Sequence, residues 1–187
     1  MKQILVIVLI AGMLLPAFAQ EQEMSKKEQK ELQKQLRQEQ EAEEAAKRML
    51  MVGLMVEHQK FVLEADRLQD SKGNTASVSS MINFIACDSV NAVIQIGSDL
   101  YIGGNGLGGV TVEGPIANYK NTFNEKKGTY SLSFIVRSTI GNYDVRMSVY
   151  GEGRAEATVT STWPGRLTYS GYLVPPGVSK VYKGTSF

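Results

Sequence analysis

The stretch Thr129–Tyr150, "TYSLSFIVRSTIGNYDVRMSVY", decides the fold. In its first half Tyr130, Leu132, Phe134 and Val136 occupy one parity. In its second half Tyr143, Val145, Met147 and Val149 do the same, with Asp144, Arg146 and Ser148 opposite. A repeat of two is the period of an extended strand, whose successive side chains point to opposite faces. Gly141-Asn142 between the halves tolerates the positive φ of a tight turn, so the pair reads as an antiparallel hairpin.

The same rhythm runs outward in both directions. Upstream, Phe61, Leu63 and Ala65 alternate with Val62, Glu64 and Asp66; "SSMINFIACD", "AVIQIGS" and "VTVEG" read as further strands. Downstream, "EATVTST" and "RLTYSGYLV" complete the set. Lys72-Gly73-Asn74, Glu152-Gly153 and Pro164-Gly165 supply turn chemistry between them. No helical pattern separates any two of these strands, and short connections favour antiparallel neighbours. The expected fold is therefore all-β: an antiparallel meander of about eight strands curled into a barrel or half-barrel, with a two-sheet sandwich as the alternative. An N-terminal helix precedes it.

"GGNGLGG", Gly103–Gly109, matches the G-x-G-x-x-G spacing of a dinucleotide loop at Gly104, Gly106 and Gly109. Such a loop works between a parallel strand and a helix whose N-terminal amides face a pyrophosphate. Here "VTVEG" follows, which is a strand, so the spacing is read as a rim loop or bulged connection rather than a nucleotide site. Glycines also let a ligand approach bare backbone.

The chain opens "MKQILVIVLIAGMLLPAFAQEQ". One Lys, an apolar run from Ile4 to Leu15 and the small-x-small sequence Ala17-Phe18-Ala19 form an export signal over residues 1–19, with cleavage expected before Gln20. The run is shorter than the roughly 20 residues of a membrane span. A lipoprotein would carry Cys where Gln20 stands, so a periplasmic or secreted protein without a lipid anchor, and without a transmembrane segment after cleavage, is expected. Loss of Lys2 takes the formal charge from +1 to zero, a balance that indicates neither nucleic acid nor an anionic membrane as partner. One Cys, Cys87, rules out an intramolecular disulfide framework.

Residues 20–56 read as a charged helical arm. Glu, Gln, Lys, Arg and Ala dominate, and Glu23/Lys27, Glu43/Lys47 and Glu44/Arg48 are spaced for i,i+4 pairing. Leu32 and Leu36 are too sparse for a sustained coiled-coil seam. "MLMVGLMV", Met49–Val56, is uncharged and is expected to dock on the body formed by residues 57–187.

Chemistry-bearing residues are thinly spread. His58 is the single histidine and has no ligand cluster beside it, so no metal site and no cofactor are expected. Cys87 reads as a small buried residue at a strand end. Glu64, Asp66, Glu113 and Asp144 could do acid–base work only if the fold brought them together; otherwise they mark the solvent side of their strands. The candidate ligand-binding residues are Gly104, Asn105 and Gly106 at the glycine-rich rim, with Tyr130 and Tyr143 as inward-facing aromatics.

The blocks "FVLEADR" (Phe61–Arg67), "NFIA" (Asn83–Ala86), "GGNGLGGVTVEG" (Gly103–Gly114), "RLTYSGYLVPP" (Arg166–Pro176) and "SKVYKG" (Ser179–Gly184) follow one another in an order that resembles a domain-of-unknown-function family of exported Bacteroidetes proteins. The resemblance spans Glu57 to Gly184 and leaves the charged arm outside. It implies a small exported domain of the cell envelope or secreted kind and brings no catalytic residues. The expected function is a non-enzymatic exported protein, a small-ligand-binding module. The alternative is an envelope structural or protein-interaction module acting through the N-terminal helix, and an unrecognised hydrolase ranks below both.

Overall fold

The computed structural model describes residues 26–98, 108–161 and 165–186. A helix, α1 (Lys26–Glu57), precedes nine strands: β1 (Lys60–Gln69), β2 (Thr75–Ser77), β3 (Phe84–Asp88), β4 (Asn91–Ile96), β5 (Val110–Asn124), β6 (Thr129–Ser138), β7 (Gly141–Tyr150), β8 (Arg154–Ser161) and β9 (Arg166–Val174). Every pairing is antiparallel, each strand from β3 onward pairs with the next, and β9 returns to pair with β1. Eight strands thus close a barrel, which settles the choice among barrel, half-barrel and sandwich. The ninth, β2, pairs with the last three residues of β1 beside β3.

Alternation sorts the side chains as the sequence indicates. Phe61, Leu63, Ala65, Leu132, Phe134, Val136, Val145, Met147 and Val149 all belong to the buried core. Two details differ from the sequence reading. The β6–β7 hairpin turns at Thr139–Ile140, with Ser138 paired to Gly141, so Gly141 is the first residue of β7 rather than the turn itself. And β5 continues through Gly114-Pro115 to Asn124, carried by a bulge between Ala117 and Lys120 where Asn118 adopts a φ of 54°. The extra residue restores inward parity downstream, so Ile116 and Tyr119 both pack on the core.

Contact density divides the chain into Met1–Glu39 and Gln40–Phe187. In the first unit, residues 26–39 are helical and exposed throughout. In the second, the rest of α1 carries the expected Lys47–Glu43 and Arg48–Glu44 pairs at 2.7 and 3.5 Å. Val52, Met55 and Val56 then bury themselves against one end of the barrel. Tyr119 donates its hydroxyl to the Val56 carbonyl at 2.8 Å, and its ring stacks on Phe134 with centroids 5.8 Å apart. Gln59, in the left-handed region at φ 56°, stops the helix and turns the chain into β1. The docking is one-sided: Leu50, Met51 and Leu54 of the same apolar run face solvent.

After β9 the chain crosses the outside of β1, β3, β4 and β5 as an irregular strap. Glu64 accepts bonds from the Ser179 hydroxyl at 2.7 Å and the Lys180 amide at 3.2 Å. Gln95 donates its amide to the Tyr182 carbonyl at 2.8 Å and accepts from the Gly184 amide at 2.8 Å. Lys183 and Ser186 both reach the Glu113 carboxylate. On the wall carrying this strap, Val62, Phe84, Gln95 and Thr111 are all buried although they point away from the barrel interior.

Candidate functional site

Strand ends at the pole away from α1 form an apolar cup of about 290 Å³. β4 and β5 supply Ile94, Ile96, Val110 and Val112; β7 supplies Tyr143; β8 and β9 supply Val159, Leu167 and Tyr169. Tyr169 is fully buried at the base, its hydroxyl 3.4 Å from the Gln95 carbonyl. Arg166 is the one charged residue lining the cup among the described residues. Tyr143 is half-buried, and its burial pushes the phenol above its ordinary pKa, so it remains a neutral hydroxyl at physiological pH. Such a surface can desolvate an apolar body and offer a donor at its mouth.

The aromatic candidates do not share this site. Tyr143 pairs with Val136 near the end of β6, whereas Tyr130 lies at the start of β6. Tyr130 packs at the helix pole instead, beside Gly53, where an added Cβ would stand 2.8 Å from the Tyr130 hydroxyl. One small ligand cannot touch both. Gly104, Asn105 and Gly106 lie outside the described residues, in the connection from β4 to β5.

The carboxylates also stay apart. Glu64 and Glu113 are held by the strap, Asp144 bonds Arg146 at 3.3 Å on the exposed face of β7, and Asp66 is exposed at a bulge in β1. His58 is exposed at the end of α1. Cys87 is buried in the core, and burial raises its thiol well above the ordinary value, so it is held as an unreactive thiol. Among the described residues no three His, Cys, Asp or Glu side chains are grouped to hold a metal ion, and no helix is long and apolar enough to cross a membrane.

The profile of a domain of unknown function, DUF4251, matches residues 37–173. The chain belongs to the DUF4251 family. A crystal structure of a DUF4251 family protein from Bacteroides eggerthii DSM 20697 is 28% identical and superposes with a TM-score of 0.62, over 75% of this chain and 95% of that one. No curated protein matches the chain. The DUF4251 match begins within α1 at residue 37 and ends within β9 at residue 173, so the arm expected outside the family lies partly inside it, and the strap with Ser179–Gly184, expected inside, lies beyond it.

Of the cup, the sequence reading named Tyr143 and missed Ile94, Ile96, Val110, Val112, Val159 and Leu167. Each is an inward position at or near a strand end, a signal that becomes legible only once the pole closed by α1 is known.

Proposed function

We propose that the protein is an exported, non-enzymatic binding module that takes a small, largely apolar ligand in the cup. The observation carrying this reading is the cup itself. At the opposite pole Val52, Met55 and Val56 cap the core, and the hollow of about 420 Å³ beside α1 is lined in part by Glu57 and Asn121, whereas this one offers about 290 Å³ between apolar walls with Arg166 as the one charged residue among the described ones. That volume sits near the lower limit of ordinary ligand pockets, about 300 Å³, so the ligand is small. Tyr143 and Arg166 at its wall supply the polar groups that would orient a head group. The dispersal of Glu64, Asp66, Glu113 and Asp144 supports a binding rather than a hydrolytic role.

Export to the periplasm or beyond rests on the sequence of Met1–Ala19, and mass spectrometry of the exported protein should find a mature chain beginning at Gln20.

The ligand reading is tested by titration with N-phenyl-1-naphthylamine, a neutral reporter that brightens on desolvation. Wild type should bind it, and Val110→Trp, which fills the mouth, should weaken binding about tenfold while leaving the thermal midpoint nearly unchanged. A Leu50→Gln/Leu54→Gln double variant on α1 should bind like wild type. Absence of binding by wild type, or equal loss in both variants, counts against the cup.

A second reading, interaction with an envelope protein through α1, is favoured by the solvent-facing Leu50, Met51 and Leu54. Under it, cross-linked envelope partners disappear with the Leu50→Gln/Leu54→Gln variant and persist with Val110→Trp; persistence in both removes that reading.

A further inference from the structure

The outer wall of the barrel holds a second concavity of about 290 Å³, bounded by Tyr150 and Tyr172. The alternation that sends Val149, Ala155 and Leu173 into the core sends Tyr150, Arg154 and Tyr172 outward. Arg154 stands directly opposite Tyr172 in the β8–β9 register. Tyr150 and Arg154 flank the β7–β8 turn, which is closed by a 2.8 Å bond from the Gly153 amide to the Tyr150 carbonyl and depends on a Gly153 φ of 93°.

Three planar side chains therefore line up across three adjacent strands, a platform about 10 Å wide at ordinary strand spacing. The Arg154 guanidinium lies 5.6 Å from the Tyr172 ring centroid and donates to its hydroxyl at 3.4 Å, which holds the centre of the platform in place. Both tyrosines remain substantially exposed, at 44% and 46%. The outward positions earlier on β7 are Asn142, Asp144, Arg146 and Ser148, so aromatic side chains here depart from the rest of that face.

Around the platform stand Asp66, Arg67, Glu152 and Glu156. The register shift between Ala65 and Arg67 takes Asp66 out of the β1–β9 ladder and presents it at this groove, a common use of a bulge. Three carboxylates against two guanidiniums leave almost no net field. Polyphosphates and strongly basic peptides need one of definite sign. A neutral ligand with an apolar face and a rim of hydroxyls needs none. Its face lies on a tyrosine ring, its hydroxyls donate to the carboxylates, and its oxygens accept from the guanidiniums.

We infer that this groove binds a neutral carbohydrate, independently of the cup. The test is electrophoresis of the full mature chain through native gels containing soluble starch, xylan, mannan or laminarin. At least one polysaccharide should retard wild type, with Tyr150→Ala and Tyr172→Ala each weakening the interaction about tenfold. Tyr182→Ala, an exposed tyrosine elsewhere, should leave retardation unchanged. Because all three side chains are exposed, melting curves should match wild type and confirm folded variants. Free migration of wild type in all four gels overturns the proposal, as does retardation that survives both groove substitutions or falls equally with Tyr182→Ala.

Discussion

Gly171→Ala is expected to lower stability by about 3 kcal/mol, a drop of roughly 10 °C in the thermal midpoint for a domain of this size. Gly171 sits on β9 where the barrel closes, opposite Ala65 of β1 and Ala155 of β8. An added Cβ would stand 1.9 Å from the Glu64 carbonyl oxygen and 2.8 Å from the Ala65 Cα. Both obstacles are backbone, so no rotamer change relieves them; the two strands must separate. Separation loosens the β1–β9 pairing, through which the curled sheet closes on itself. Gly177→Ala is the matched control: nothing lies within 4 Å of its added Cβ, and its effect should be within about 0.5 kcal/mol. Circular-dichroism melts of the two variants decide the matter. A Gly171→Ala midpoint within a few degrees of wild type would mean that β1 and β9 are not locked as described.

Closure also marks the limit of what the sequence could reveal. The hairpin of β6 and β7 was legible because its two faces meet different media, core on one side and water on the other, so Tyr130 to Val149 alternate cleanly. Where both faces are dry the alternation loses meaning. Phe84 and Gln95 point outward yet are buried, because a strap more than eighty residues further along covers them. Glycine and proline misled at β5, since Gly114-Pro115 looks like a strand end. Gly114 is instead a close approach, with its added Cβ 1.8 Å from the Arg137 carbonyl, and the strand runs on. The site was legible to the same degree. Parity correctly turned Tyr130 and Tyr143 inward but could not tell that they serve opposite poles, which depends on where α1 docks.

The second large effect concerns the strap, and Gln95→Leu should release it. Gln95 is fully buried, and its amide makes four bonds: it donates to the Ile82 and Tyr182 carbonyls at 3.1 and 2.8 Å and accepts from the Thr111 hydroxyl and Gly184 amide at 2.9 and 2.8 Å. Leucine keeps most of the volume and satisfies none of these partners. Leaving buried polar groups unpaired costs about 1–3 kcal/mol each, so the cheaper response is for Tyr182 and Gly184 to lift into water, which uncovers Phe84 and Val62. A net loss of about 3 kcal/mol is expected, with rapid hydrogen exchange at Tyr182, whose amide otherwise bonds the Met81 carbonyl at 2.7 Å, and at Gly184. Acid should loosen a different part of the same segment. The Lys183 ammonium, then the Ser186 hydroxyl, hold Glu113 below its ordinary value of 4.5, so this contact stabilises the fold above that pH and is lost as pH falls through the depressed value. The pair is substantially exposed, which keeps its contribution below about 1 kcal/mol. Protection factors corrected for intrinsic rate should therefore fall at Lys183, Thr185 and Ser186 first in wild type at low pH, while Tyr182 and Gly184 stay protected by the neutral amide of Gln95. In Gln95→Leu both regions should exchange together at neutral pH. If Gly184 and Tyr182 remain protected in that variant, the strap is held by something other than the Gln95 amide.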